Sequence, residues 1–463
     1  MTTTETFTGP FLQGLMEPVT DERDDGDLEV VGEIPEGLRG MFTRNGPNPQ
    51  FAPTGRYHPF DGDGMVHAVY LDEGRARYRN RWVESKGLLA ERRRGRSCYG
   101  GLGEFRSPED GVIEEAGSVK NVANTHFVRH AGRHLALLEV SKPTEMTREL
   151  DTIGEYDFDG RLAGGMTAHP KIDTDTGEML FFGYSGLPPY LRYHVVDAGG
   201  ALVRSVDIDL PAPVMMHDFV VTANHAVFID SPAVFDVQSL MAGGPVVRWQ
   251  PDNGTRIGVI SRNGHSDDVR WFEIDSCYVV HFFNAWETGD RIEIFGPRMT
   301  RMPGGFEFQD PTAVADPMPW HWTIDLAAGT VTEEQTDDRS GEFPRINDEF
   351  ATRQHRFGYL CPQRSPEFDF SFHGVVKYDL ETGDSLSHLY NRTSTSGEHV
   401  FAPDPDGTAE DDGWLLSFVT DEATGRSELV VLDARDIGAE PVARVQMRRR
   451  VPLGFHANWL PET

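Results

Sequence analysis

Four histidines of this chain lie in short apolar runs, an unusual setting for a side chain found mostly at surfaces and in mixed environments. They are His169, His217, His281 and His456. Neutral imidazole offers a lone pair at physiological pH and is the commonest metal ligand among side chains. Long stretches of sequence separate the four, so the local spacing of a zinc finger is absent and each must come from a different structural unit. Together they predict a four-histidine metal centre, and hence an enzyme.

Three glutamates also occur in mostly apolar or Gly- and Pro-flanked settings, namely Glu139, Glu342 and Glu398. A metal-bound histidine normally gives its second N–H to a carboxylate or a carbonyl, which fixes its tautomer and orientation. Four neutral ligands leave a divalent ion with its full charge, and three nearby carboxylates would offset that charge. The sequence leaves open which glutamate meets which histidine.

The elements that must position these side chains are strands. Short runs rich in Val, Phe, Leu and Tyr are bounded by Gly, Asp, Pro or Asn turns, which is typical of antiparallel sheets. We predict strands over residues 133–140, 178–184, 219–230, 271–283, 414–420 and 428–433. An apolar run that ends in Asp and is followed by Gly recurs at residues 70–74, 171–177, 196–200, 324–329 and 378–383.

This recurring phrase predicts hairpins, because Asp bonds its own backbone and Gly takes the positive φ that closes the turn. Repeated hairpins without long helices favour an all-β fold, and for 463 residues a β-propeller leaves few exposed strand edges. Inner strands of successive blades approach one axis, where distant histidines can meet. We interpret residues 1–463 as a single propeller domain, with residues 1–27 as an extended or partly flexible segment.

The composition limits which binding partners and which cellular compartment we expect for this protein. The chain has 43 Lys and Arg against 74 Asp and Glu, a formal net charge of −31, and such a surface repels nucleic-acid phosphates. Cys98, Cys277 and Cys361 are too few and too scattered for a disulfide framework and fit reduced thiols. No apolar run reaches the roughly 18–20 residues that span a bilayer. We therefore expect a cytoplasmic protein that does not bind nucleic acid.

Several segments, spread nearly end to end, resemble the carotenoid cleavage oxygenase family. They are GMFTRNGPNP (40–49), HPFDGDGMVH (58–67), AHPK (168–171), MHDF (216–219), GEFPRIN (341–347), GEHVFAP (397–403) and GFHANW (454–459). Each alone has little weight, but their shared order is highly specific.

The resemblance implies a seven-bladed propeller with an axial Fe(II) covered by loops and held by the four histidines. It implies that the three glutamates support those histidines from outside. It also implies cleavage of a carbon–carbon double bond of a polyene by O₂, giving two carbonyl products. An all-histidine site differs from the two-histidine-one-carboxylate triad of other Fe(II) oxygenases, yet can leave positions open for O₂. Because the family draws lipophilic substrates from membranes, peripheral membrane contact is a further hypothesis.

The family also includes stilbene dioxygenases and the retinoid isomerase of the eye. Stilbene cleavers place a lysine immediately before the first of the three glutamates, where it engages a substrate phenol. Here that position is Leu138, which can neither ionise nor bond a hydroxyl. We therefore expect a carotenoid or apocarotenoid substrate, with stilbene cleavage as the alternative.

Two readings from other classes remain open. A non-enzymatic propeller that binds partners through its face would need no buried histidine quartet. A hydrolytic propeller would need paired axial carboxylates as acid and base, and the many acidic residues do not remove that option. The ordered motifs favour neither.

Other conspicuous residues have ordinary interpretations. The remaining histidines, among them His126, are expected to be structural, and FDGDG (60–64) is expected to be a tight turn because it lacks the full acidic pattern of a Ca²⁺ loop. The basic run ERRRGR (91–96) is expected to be a solvated face. Apolar residues at 187–191, 234–235 and 240–241 are candidates for a substrate tunnel or for ordinary core.

Overall fold

Antiparallel hairpins account for most of the chain, and seven sheets of four to six strands form the blades of a β-propeller. The structure, a computed structural model, describes residues 7, 9, 11–242, 244–302, 316–364 and 371–462. The all-β, seven-bladed fold expected from the sequence is confirmed, whereas the assignment of residues 1–463 to a single domain stays a prediction.

The first three blades follow one another along the chain. Two edge strands come first, β1 (Arg23–Asp25) in blade 1 and β2 (Val30–Gly32) in blade 7. Blade 1 continues with β3 (Gly40–Pro47), β4 (Gly64–Asp72) and β5 (Arg75–Trp82). Blade 2 comprises β6 (His126–His130), β7 (Arg133–Leu137), β8 (Thr144–Met146) and β9 (Thr152–Glu155). Blade 3 comprises β10 (Lys171–Ile172), β11 (Met179–Tyr184), β12 (Leu191–Val196) and β13 (Leu202–Ile208).

The remaining blades complete the ring. Blade 4 comprises β14 (Val220–Val221), β15 (His225–Asp230) and, after a separate hairpin of β16 (Ala233–Phe235) and β17 (Val247–Trp249), β18 (Thr255–Ser261) and β19 (Arg270–Ile274). Blade 5 comprises β20 (Tyr278–Val279), β21 (Asn284–Thr288), β22 (Arg291–Met299), β23 (Met318–Asp325) and β24 (Thr330–Gln335). Blade 6 comprises β25 (Gly341–Arg345), β26 (Phe357–Pro362), β27 (Gly374–Asp379) and β28 (Ser385–Leu389). Blade 7 comprises β29 (Ser394–Ser396), β30 (Val400–Pro403), β31 (Gly413–Asp421), β32 (Arg426–Asp433) and β33 (Ala443–Gln446), and β34 (Ala457–Pro461) returns to blade 1.

Helices are short. The α-helices are α1 (Lys86–Arg94), α2 (Asp110–Ala116) and α3 (Val237–Met241), and 3₁₀ turns occur at Gly14–Met16, Pro59–Asp61, Pro251–Asn253, Ser266–Asp268 and Asp348–Phe350. Within the described ranges, no helix has both the length and the hydropathy needed to cross a membrane.

The five predicted Asp–Gly turns are confirmed, because each connects two hydrogen-bonded neighbouring strands. The turn between β10 and β11 shows the mechanism. The carboxylate of Asp173 accepts the backbone N–H groups of Asp175 at 3.0 Å and Thr176 at 3.4 Å. Gly177 then adopts a φ of 71°, which a residue with a Cβ takes at a cost.

Two predicted strands are wrong in extent. Residues 219–230 form a hairpin, in which β14 and β15 pair across a turn at Thr222–His225. Residues 271–283 contain the separate strands β19 and β20, which belong to blades 4 and 5. Both runs look continuous in sequence because neither interruption contains Gly or Pro, the residues that most strongly mark turns.

Apolar side chains fill the spaces between neighbouring blades. Between blades 4 and 5, Val227 and Ile257 pack in one cluster with Ile294 and Trp322. Each side chain buried to this extent stabilises the fold by roughly 1.5–3 kcal/mol. The core is therefore a ring around the axis, which leaves the axis itself available for other groups.

Strands from opposite ends of the described chain close the ring. In blade 1, β34 pairs antiparallel with β3, and in blade 7, β2 pairs with β33. Near the N-terminus, β1 pairs with β5, and Leu12 and Val19 are each 2% exposed. Residues 1–6, 8 and 10 lie outside the described part, so the prediction for the beginning of the 1–27 segment stays open.

Candidate metal centre

The four histidines lie at the ends of axial strands from four blades. His169 precedes β10, His217 precedes β14, His281 lies between β20 and β21, and His456 immediately precedes β34. Each of these strands borders the axis at the end of its sheet. Because the axial strands converge, residues far apart in sequence come together there.

The imidazoles meet in one cluster. The Nε2 atoms of His169 and His217 are 2.9 Å apart, those of His217 and His281 3.2 Å, and those of His281 and His456 3.2 Å. One potential ligand atom from each residue lies within 4.8 Å of the others, and all four residues are buried. This donor set could hold one metal ion, since it consists of convergent imidazole nitrogens that are shielded from water.

The three predicted glutamates contact three of the four histidines, an arrangement that the sequence had left open. Glu139 Oε2 lies 2.6 Å from Nδ1 of His217, and Glu342 Oε2 lies 2.5 Å from Nδ1 of His281. Glu398 Oε1 lies 3.4 Å from Nδ1 of His456. A carboxylate that accepts the Nδ1 proton leaves the Nε2 lone pair directed at the cluster.

His169 is held differently. Among the described residues, no carboxylate is hydrogen-bonded to its ring. Its backbone N–H donates to Thr167 Oγ1 at 3.1 Å, and the same hydroxyl donates to the carbonyl of His217 at 3.2 Å. One threonine thus connects the backbones of two members of the cluster.

Burial keeps most of the cluster neutral. It lowers the pKa of His169 well below its usual value, that of His281 to about 3 and that of His456 to about 4. Repulsion between neighbouring imidazoles adds to the effect at His169 and His281. For His217, burial also favours the neutral ring, but Glu139 outweighs it and raises the pKa.

The carboxylates respond in opposite directions. Burial raises the pKa of Glu342 to about 8. For Glu398, burial acts in the same sense, but His456 and Arg345 outweigh it and lower the pKa to about 2. The guanidinium Nη1 of Arg345 lies 3.7 Å from Glu398 Oε1. Arg345 belongs to the GEFPRIN segment, and the sequence analysis did not assign it a role.

An apolar cavity of about 320 Å³ reaches the cluster from one side, where it contacts His217, His281 and His456. Its apolar lining includes Phe51, Phe60, Leu138, Val140, Met215, Phe235, Leu240, Val246, Val247, Val280, Phe343, Phe372 and Phe455. Phe343 and Phe455 are adjacent in sequence to Glu342 and His456, a signal that could have identified them.

Some residues of the apolar segments line the cavity, as expected for a substrate tunnel, and others are ordinary core. Phe235 and Leu240 line the cavity, whereas Val234 and Leu191 are buried in the core between blades 3 and 4. Leu187 is 72% exposed. The side chain of Met241 lies outside the described part.

The connection between β5 and β6 covers this cavity. It contains α1 and α2, and the basic run at the end of α1 pairs with carboxylates, as in Arg92 with Glu84 and Arg93 with Glu115. The basic run, expected to be a solvated face, therefore also forms ion pairs with neighbouring carboxylates. Under it, Lys120 lines the cavity.

The FDGDG segment is a turn, as predicted. Asp61 accepts the backbone N–H groups of Leu102 and Gly103. The Nζ atom of Lys120 contacts Asp63 at 2.5 Å and Glu91 at 2.6 Å. These carboxylates brace the covering segment against blade 1.

A second cavity, of about 640 Å³, follows the propeller axis to the opposite side of the cluster, where it contacts His169, His281 and His456. Residues from all seven blades line it. Its polar lining includes His126, Arg129, Lys171, Thr174, Asp218, Asn284, Arg345, Asn347, Asp348, Glu349, Thr352, Glu398 and Asn458. We call it the axial cavity. No pattern in the sequence predicts this cavity.

Comparisons with known proteins agree with this architecture. The sequence model of the retinal pigment epithelial membrane protein (RPE65) family matches residues 16–461. A carotenoid cleavage oxygenase of Mycobacterium tuberculosis is 37% identical, with 98% of each chain covered, and an isoeugenol monooxygenase of Pseudomonas nitroreducens is 33% identical over the same share. The crystal structure of a Pseudomonas brassicacearum lignostilbene dioxygenase superposes with a TM-score of 0.91 at 32% identity, covering 98% of this chain and 99% of that one. The chain therefore belongs to the carotenoid cleavage oxygenase family, a family of metal-dependent oxygenases.

Proposed function

We propose that the protein is a non-haem Fe(II) dioxygenase that cleaves a carbon–carbon double bond of a carotenoid or apocarotenoid with O₂. One observation carries the proposal: four buried imidazoles converge at the inner end of an apolar cavity. Adding the two atoms of O₂ across a broken double bond gives one carbonyl group on each fragment, so the reaction needs no further reductant.

The donor set suits the metal that the family implies. His169, His217, His281 and His456 would hold Fe(II) through Nε2, and Glu139, Glu342 and Glu398 would fix three of the rings through Nδ1. Imidazole binds iron well, and a site with four such ligands could still accept O₂. When bound, Fe(II) supplies the oxygen-activating redox chemistry that the side chains lack.

The protein's own contribution is to hold the rings and exclude water. The Nδ1 contacts at His217 and His281 orient both rings so that each Nε2 faces the cluster. Phe343 and Phe455, 5% and 4% exposed, flank the cluster in the cavity wall. An apolar alkene that enters this cavity displaces water without leaving polar groups unsatisfied.

The cavity wall supports a substrate without ionised groups. Leu138, directly before Glu139, lines the cavity, so the position where stilbene cleavers carry a lysine offers only a hydrocarbon surface. Three cationic side chains also line it, and each has a partner. Asp63 and Glu91 hold the ammonium group of Lys120. Arg106 pairs with Glu104, and Arg56 donates to the carbonyl of Gly103. A long apolar polyene fits such a wall better than a phenolate does.

A second candidate is cleavage of a stilbene or a related phenolic alkene. The structural similarity to the lignostilbene dioxygenase, at a TM-score of 0.91, favours it, as does the identity to the isoeugenol monooxygenase. Both substrate classes present one alkene to a metal at the end of an apolar cavity.

Product analysis separates the candidates. Fe(II)-loaded protein is incubated aerobically with carotenoids, apocarotenals and 4-hydroxystilbenes, and the products are identified by liquid chromatography and mass spectrometry. Pairs of aldehydes or ketones from a polyene support the proposal and locate the cleaved bond, whereas aromatic aldehydes alone support the second candidate. No product from any substrate, with iron verified in the protein, contradicts both.

A further inference from the structure

The metal cluster faces two cavities of different chemistry. The apolar cavity is walled near the cluster by side chains such as Phe343, Phe455 and Val280. The axial cavity is twice as large, and its lining includes the charged side chains of Lys171, Asp218 and Glu398. A hydrated cation passes a polar wall far more cheaply than an apolar one, because it keeps its hydrogen-bonding partners.

One histidine in the axial cavity has no role in the proposed reaction. His126 is 7% exposed and begins β6, the axial strand of blade 2. Its ring centroid lies 5.3 Å from that of His456 and 6.0 Å from that of His169. The His126 ring therefore lies next to the cluster but is not one of the four histidines that form it.

The hydrogen bonding of His126 sets its tautomer. Nδ1 lies 2.8 Å from the carbonyl oxygen of Ala168, and a carbonyl can only accept, so Nδ1 carries the proton. Nε2 then bears a lone pair, and among the described residues this buried atom has no hydrogen-bond partner. His126 lines the axial cavity, and a neutral imidazole nitrogen without a hydrogen-bond partner is an available ligand.

The charges along the axial cavity suit a cation in transit. Four carboxylates line it, those of Asp218, Asp348, Glu349 and Glu398. Three cations line it as well, but two of these are engaged: Lys171 pairs with Asp218 at 2.7 Å, and Arg345 pairs with Asp348 at 2.9 Å. Glu349 is exposed and adds a negative charge to the lining of this cavity, which attracts divalent ions.

We propose that Fe(II) enters and leaves the cluster through the axial cavity, and that Nε2 of His126 binds the ion in transit before it passes to His169 and His456. The inference rests on the proposed function, since it requires the four histidines to hold a metal. It separates two routes: the ion uses the polar side of the cluster and the alkene uses the apolar side.

The test compares rates with affinity. A transit ligand lowers the barrier in both directions, so its loss slows uptake and release by the same factor and leaves Kd unchanged. For His126→Asn, whose side-chain amide can still donate to the carbonyl of Ala168, we expect both rate constants to fall about tenfold. Release is followed by mixing Fe(II)-loaded protein with excess coloured chelator, and uptake by stopped flow of Co(II) with metal-free protein under anaerobic conditions.

Matched variants complete the experiment. His194 is also buried, with Nδ1 bonded to Ser205 Oγ at 2.8 Å and Nε2 without a partner among the described residues, but it lines neither cavity. His194→Asn should therefore leave both rates unchanged. His126→Gln places an amide oxygen, a poorer ligand, near the position of Nε2 and should give intermediate rates, which also serves if the Asn variant does not fold.

Each contrary outcome is distinct. Unchanged rates in both His126 variants overturn the transit role, and so does faster release with a weaker Kd, which identifies a static support of the cluster. If the wild-type protein itself takes up no metal, the proposed function fails and the inference with it.

Discussion

The two sides of the histidine cluster differ more than the four histidines do. His217 contacts only the apolar cavity and His169 only the axial cavity, while His281 and His456 border both. The apolar side carries the two short carboxylate contacts, from Glu139 and Glu342, and the axial side carries the long one from Glu398. One centre thus borders an apolar cavity on one side and a polar cavity on the other, which suits the separate routes proposed above for the alkene and the ion.

The strongest test of this comparison removes one histidine from each side. We expect both His217→Ala and His169→Ala to weaken Fe(II) binding by roughly 100-fold or more, because each removes a ligand from a buried site. Iron per protein after dialysis, measured by mass spectrometry, checks this. His225→Ala, a change distant from both cavities, is the control, and stoichiometric iron in either cluster variant would show that the quartet is not one centre.

A smaller effect separates the supporting carboxylates. Glu139→Gln removes the negative charge from a 2.6 Å contact to His217, whereas Glu398→Gln removes it from a 3.4 Å contact to His456. We expect the first to weaken Fe(II) affinity by about 10–100-fold and the second by less than about tenfold. Competition with a chelator of known affinity measures both. An equal or reversed order would mean that contact length does not rank the two sides.

Substrate choice should respond on the apolar side alone. Leu138→Lys places an ammonium group in the cavity wall, so we expect kcat/KM for an apolar polyene to fall about tenfold and cleavage of a 4-hydroxystilbene to rise. Ile172→Lys introduces the same group on the axial side, where Ile172 is half-buried. Equal shifts in both variants would contradict the assignment of the apolar cavity to the substrate.

The smallest expected effect is on the free energy of unfolding and concerns Glu287, which lines neither cavity. Burial alone would raise the pKa of Glu287, but hydrogen bonds from His225, Thr222 and Asn224 outweigh it and lower the pKa to about 2 from 4.5. The carboxylate therefore stabilises the folded protein above pH 4.5, and this contribution disappears as the pH falls toward 2. Glu287→Gln should cost about 1–2 kcal/mol at pH 7 without changing iron content.

Denaturant unfolding at several pH values measures the loss at Glu287. Glu334→Gln, at an exposed position of β24, is the matched control. A loss that persists unchanged at pH 2 would show that the ionised carboxylate is not responsible.

Much of the scaffold could be predicted because its signals are local. The Asp–Gly phrase specifies a hairpin within a few residues, and all five instances form one. Where the local signal is absent the prediction is wrong: the turn at Thr222–His225 contains neither Gly nor Pro, so the sequence predicts one strand over residues 219–230. Turn chemistry, more than strand propensity, decided which segments could be predicted.

The proximity of the candidate residues could be predicted, but their pairing could not. Family motifs and apolar context singled out seven residues, and the structure brings all seven together. Their pairing depends on contacts between blades, such as Glu139 in blade 2 with His217 before blade 4, which no local pattern encodes. His126 was interpreted as structural for the same reason, because its lone pair is notable only once the axial cavity is known.

The closure of blade 1 has a thermodynamic consequence. His456 immediately precedes β34, and its backbone carbonyl accepts the N–H of Asn45 in β3 at 3.0 Å while its own N–H donates to the carbonyl of Thr125. Peeling β34 from β3 must therefore withdraw one imidazole from the cluster. A bound ion and a closed ring would consequently stabilise each other, by about 4 kcal/mol at a free metal concentration 1,000 times Kd, so a metal held by the four histidines would also keep the ring closed.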